Sequence, residues 1–186
     1  MFERTQLPTS HEGLSGAVRS GSVVTGTERV LAAKQWLLSA VEDRELARRQ
    51  WDTEGVTLLR CGGLLSAIRL PARMVWSAAE TEELPQVDAY LAAALGGPAF
   101  MDLHVCCYYA LVGSRSLEHF PFRDLPGTAA IGQNHYLGVP SLRHVTVAGR
   151  AYWCVPPESA GVLCPVEAVE ALARQGRTRM VSGQCP

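Results

Sequence analysis

The chain has 186 residues, 47% of them hydrophobic and 19% charged, with a formal net charge of -1 and a pI near 6.5. That length and apolar content suffice for one well-buried core and exclude a disordered or fibrous body. The near-neutral balance excludes a broadly basic nucleic-acid surface and leaves room for a focal arginine patch, whose binding would be salt-sensitive.

Lys34 is the only lysine, so the basic set is nearly all arginine. No apolar run approaches the ~20 residues that a membrane-spanning helix needs, and the N-terminus lacks the charged-then-apolar pattern of a secretory signal. The expectation is a cytoplasmic protein without membrane contact. In such a compartment Cys61, Cys106, Cys107, Cys154, Cys164 and Cys185 are expected as reduced thiols.

In chain order, residues 1–26 are rich in Ser, Gly and Thr without a sustained period and read as a flexible lead-in to a single α+β domain at 27–180, with a tail at 181–186. Residues 27–49 place Val30, Ala33, Leu37, Ala40 and Val41 on one helical face, with Thr27 as cap and Arg44, Arg48 and Arg49 near the end. The stretch GVTLLRCGGLLSAIRLP, 55–71, is two β-rich segments around Gly62 and Gly63, and predicts a tight hairpin. Residues 71–95 are helical: a short piece around Met74–Val75–Trp76, then a longer one from Pro85 on which Leu84, Val87, Leu91 and Leu95 recur, stopped by Gly96 and Gly97.

The run GGPAFMDLHVCCYYALVG, 96–113, is a core hairpin with Phe100 on its first strand and 105–112 on its second. Residues 113–132 read as a long loop, a lid or binding surface. Extended segments follow at 135–139 and 150–155. A last helix starts at Pro165, presents Val166, Val169 and Leu172, and ends near Gly176. The simplest architecture for this order is an RRM-like or ferredoxin-like α+β sandwich, an antiparallel hairpin-built sheet covered by helices mainly on one face.

Three segments carry a likeness in order and punctuation: VTLLRCGGLLSAIRLP, PAFMDLHVCCYYALVG, and HYLGVP followed by GRAYWCVPP. Together they resemble the N-terminal catalytic domain of bifunctional DNA primase-polymerases, the archaeo-eukaryotic-type primase fold common on plasmids, phages and actinobacterial elements, over roughly residues 55–157. The resemblance implies a primase-polymerase-type core and a nucleic-acid or nucleotide ligand. It also implies an acidic metal-binding pair where this chain has Ile68, Arg69 and Leu70, and a histidine where it has Cys106 or Cys107 with His104 slightly early. A later acidic ligand is replaced by residues 130–134, AIGQN. Two-metal phosphoryl transfer needs carboxylates to hold its ions and neutralise developing charge. The chain therefore reads as a degenerate, non-catalytic relative, an accessory or regulatory binding module for nucleic acid, a nucleotide or a protein partner.

The candidate ligand-binding residues are Arg60, Arg69 and Arg150, with Tyr108, Tyr136 and Tyr152 as rings that could stack bases. The same tyrosines also fit an ordinary core with hydroxyls at its rim. No cofactor is expected. The alternative is a small-molecule enzyme reusing the sheet face: Asp102, His104 and Cys106 alternate, so a regular strand would bring them onto one face beneath the 113–132 loop. A transition metal such as zinc would then sit on His104 and Cys106, with Cys154 or His144 completing the set. Asp102 and His104 as turn residues and the cysteines as small core residues account for the same pattern.

Overall fold

The computed structural model describes residues 25–183; most of the expected lead-in, the end of the tail and Cys185 lie outside the described residues. The elements are α1 (Gly26–Leu37), α2 (Arg44–Thr53), β1 (Val56–Arg60), β2 (Ser66–Pro71), α3 (Ala72–Ala79), α4 (Leu84–Leu95), β3 (Ala99–Asp102), β4 (Cys107–Val112), β5 (Ala129–Ile131), β6 (Tyr136–Pro140), β7 (Ala151–Val155) and α5 (Val166–Val181). They form a mixed α+β fold with two antiparallel sheets, one of five strands in the order β5-β2-β4-β3-β7 and one of two, β1-β6.

Alternation along the strands divides the core into two layers. Ile68, Leu70, Met101, Tyr108, Ala110, Tyr152 and Cys154 point to one side and pack against α3, α4 and α5. Ala67, Phe100, Leu111 and Trp153 point to the other, where α1, α2 and the β1-β6 sheet cover them through Leu37, Trp51, Leu59, Leu137 and Val139. Trp153, Tyr108, Tyr152 and Phe100 are the largest fully buried side chains, each contributing roughly 1.5–3 kcal/mol. The sheet is thus covered on both faces, and the expectation of a mainly one-sided cover is corrected: apolar residues on both sides of β2, β4, β3 and β7 require it.

The hairpin at 96–113 forms, with Asp102 opposite Cys107 and Phe100 opposite Tyr109. α3 and α4 fall where the periodicity places them, and Gly96 ends α4 in the left-handed conformation at φ 60°.

The expected 55–71 hairpin does not form. Gly62, at φ 97°, makes a tight turn in which its N–H donates to the Leu65 carbonyl at 2.9 Å. The turn is a corner rather than a hairpin: β1 pairs with β6, 80 positions on from Val56 to Tyr136, while β2 enters the larger sheet between β4 and β5.

The single helix expected over 27–49 is two. Thr25, not Thr27, caps α1 in a reciprocal box with Glu28. After a short 3₁₀ turn the chain becomes extended at Val41, and the Asp43 carboxylate accepts from the Glu45 and Leu46 amides at 2.9 Å to start α2. Part of the 113–132 loop is also structured, as a 3₁₀ segment at Ser114–His119 and the edge strand β5. Finally, α5 continues through Gly176 instead of stopping there. That glycine lets the helix cross α3 in backbone contact, since a Cβ on it would meet the Met74 carbonyl oxygen at 2.0 Å.

Candidate functional site

The sheet face opposite α3–α5 is buried except at one end. Strand register builds that end row by row. Arg69 on β2 lies opposite Tyr109 on β4 and Ala129 on β5, Tyr109 lies opposite Phe100 on β3, and Phe100 lies opposite Trp153 on β7. Tyr109 stacks on Phe100 with centroids 5.0 Å apart and planes 14° from parallel, and Phe100 meets Trp153 edge-on at 5.4 Å. The row is graded in burial, with Phe100 and Trp153 enclosed and Tyr109 and Arg69 half-buried. The next row carries Pro71, Cys107 and Asp102, and Arg150 borders it with its Nε 3.5 Å from an Asp102 oxygen.

Arg69 stands out electrostatically. Its Nε is buried with no hydrogen-bond partner, and none of the ion pairs among the described residues involves it. Burial pushes the Cys107 thiol and the Tyr109 hydroxyl above their usual proton affinity; the Arg69 charge pulls against burial at both, and Arg150 does so at Tyr109. Tyr109 therefore sits between the fields of two guanidiniums. A half-buried guanidinium with its Nε unsatisfied, beside a supported aromatic ring, can hold an anion and a flat group together.

The six residues expected to bind ligand divide among separate places. Arg69 and Arg150 belong to this end of the sheet. Arg60 and Tyr136 face each other across the other sheet, β1-β6. Tyr108 and Tyr152 are corrected as surface rings: they are 1% and 0% exposed on the helix-covered side. There the Tyr108 hydroxyl accepts from Trp76 Nε1 at 3.1 Å, and the Tyr152 hydroxyl donates to Asp88 at 3.1 Å. Tyr109, one position along, is the ring on the open face, and only the parity of the strand separates the two.

Asp102, His104 and Cys106 do not share a strand face. β3 ends at Asp102, whose Oδ1 accepts from the amides of His104 at 2.9 Å and Val105 at 3.3 Å, so 103–106 are the hairpin turn. Cys106 takes a left-handed φ of 49° at its exposed end. The second oxygen of Asp102 goes to Arg150.

The alternative zinc set is likewise dispersed. Cys154 is buried on the helix side with its thiol pushed well up by burial. His144 packs its ring over the Gly55 backbone, close enough that a Cβ there would lie 2.3 Å from Cε1. Among the described residues no three His, Cys, Asp or Glu side chains gather to hold a metal ion, so these residues do not fit a zinc centre. Ile68 and Leu70, on either side of Arg69, are both buried beneath the helices, while Arg69 lies on the open face.

No family model matches the chain, and neither do any curated proteins or solved structures. No helix among the described residues is long and apolar enough to cross a membrane.

Proposed function

We propose that this chain is a non-catalytic accessory or regulatory binding module of degenerate primase-polymerase type, working in the cytoplasm and taking nucleic acid or a nucleotide at the Arg69/Tyr109 end of its five-stranded sheet. The unpartnered Arg69 carries the reading. Leaving a guanidinium donor buried and unsatisfied costs stability, and a phosphate is the group that guanidinium geometry matches best. Tyr109, held flat by Phe100, supplies a platform on which a base can stack. The absence of an acidic pair around Arg69 favours binding over nucleotidyl transfer. The enzyme reading is weaker because its three residues are occupied in making a turn.

The test is fluorescence anisotropy with a labelled single-stranded DNA 20-mer and with labelled ATP, on the wild type, Arg69→Gln and Tyr109→Leu. Each substitution is expected to weaken binding at least ~10-fold. With one or two phosphates engaged, log K should fall with log salt at a slope of only about −0.7 to −1.4. Binding that survives both substitutions, or no binding of either probe, refutes the reading and leaves a protein partner as the ligand to seek.

A further inference from the structure

A second concavity lies away from that end, where β1 runs out. Three backbone segments converge on it. The corner at Gly62–Gly63 forms one wall, and Gln133 backs it so closely that a Cβ on Gly62 would sit 2.4 Å from the Gln133 Cα. Residues 39–42, from the 3₁₀ turn toward α2, also line the concavity. The buried Cys61 lines it too. The volume is about 370 Å³, within the range of small-molecule sites, ~300–1,000 Å³.

Two opposite charges line this cavity without pairing. Arg60 stands at the end of β1 and takes part in no ion pair or hydrogen bond through its side chain among the described residues. Glu42 also lines the cavity, and its Oε1 accepts from the Tyr136 hydroxyl at 2.8 Å. Tyr136 is directly opposite Arg60 in the β1-β6 ladder, so it positions the carboxylate relative to the guanidinium while leaving the second carboxylate oxygen free. Opposite charges that line one cavity without pairing favour a ligand able to answer both. A phosphate dianion would meet the Glu42 carboxylate, and a simple amine would meet the Arg60 guanidinium. A molecule bearing an ammonium and a carboxylate a short distance apart is opposed by neither.

We propose that this cavity is a binding site for a small zwitterion of the α-amino acid class, its carboxylate on Arg60 and its ammonium on Glu42, with the Gly62–Gly63 corner bare of side chains to admit it. The proposal is independent of the ligand at Arg69.

The experiment is two-dimensional ¹H–¹⁵N NMR titration of the full chain with the twenty α-amino acids, followed, for any that bind, by the N-acetyl and carboxamide derivatives, and with inorganic phosphate as a separate probe. At least one amino acid is expected to shift the amides of Glu42, Gly62 and Gly63 saturably. Blocking either of its charged ends, or making Glu42→Gln or Arg60→Gln, should each weaken it at least tenfold. Both side chains are exposed, and unchanged far-UV circular dichroism and melting temperature would confirm that the variants fold. Saturation by none of the amino acids, tighter binding of phosphate than of any of them, or affinity unmoved by both substitutions would overturn the proposal.

Discussion

Arg69 offers a test in which stability and binding should move in opposite directions. Replacing it by methionine keeps an unbranched stem on the sheet and removes the guanidinium whose Nε is buried and unsatisfied. An unmade buried hydrogen bond costs about 1–3 kcal/mol. Because Arg69 is only half-buried, the lower figure applies. Arg69→Met should therefore stabilise the free protein by about 1 kcal/mol, raising Tm by roughly 2–4 °C for a chain of this size. The assay pairs thermal unfolding followed by circular dichroism with the anisotropy titration, on one preparation. A residue kept for the fold would give the reverse pattern. A melting temperature that falls while ligand affinity is unchanged would refute the assignment of Arg69 as a binding residue and make its stem a packing element.

Two further predictions concern the helix-covered side. Asp88 on α4 accepts from Tyr152, and burial raises its carboxyl pKa against the pull of its hydrogen bonds. The folded state therefore holds that proton more tightly than the unfolded chain, and stability is lost as pH rises from the ordinary carboxylate value, ~3.9, through the higher folded one. Asp88→Asn keeps an acceptor for Tyr152 and should be the more stable protein at pH 7, with the advantage vanishing toward pH 3; a less stable variant at pH 7 in melts across that range would contradict the account. Gly176→Ala tests the α3–α5 crossing. Helix propensity alone would gain about 1 kcal/mol, but a methyl group 2.0 Å from the Met74 carbonyl oxygen must push the helices apart. A net loss of about 1–2 kcal/mol is expected in urea unfolding, and a net gain would show that the crossing gives way without strain.

What was legible in the sequence was local. The Gly96 stop, the Leu84–Val87–Leu91–Leu95 stripe and the hairpin between Ala99 and Val112 all follow from periodicity and turn residues within a few positions of one another. The split between α1 and α2 was also written locally, in Asp43 as an N-cap, but a face drawn through Val41 conceals it; Val30, placed on that face, is 52% exposed. The β1-β6 sheet was beyond such reasoning. Gly62 and Gly63 fit a hairpin and a corner equally well, and only the pairing of β1 with a strand far along the chain decides between them. Three residues of β5 give no periodicity to read.

The site depends on the same alternation, one step finer. Charge alone singles out Arg69 in an apolar strand, whichever way the strand faces. Choosing between Tyr108 and Tyr109 needs the strand's phase, which is set by where the turn ends. Had pairing resumed one residue earlier, with Cys106 opposite Asp102, Tyr108 would have faced out. Instead Cys106 adopts a left-handed backbone within the turn, and pairing resumes at Cys107 opposite Asp102. That phase puts Tyr108 beneath the helices beside Trp76 and sets Tyr109 on Phe100 next to Arg69. A single turn thus dissolves the candidate metal line and assembles the guanidinium–aromatic pair, and the two readings drawn from this hairpin were never independent.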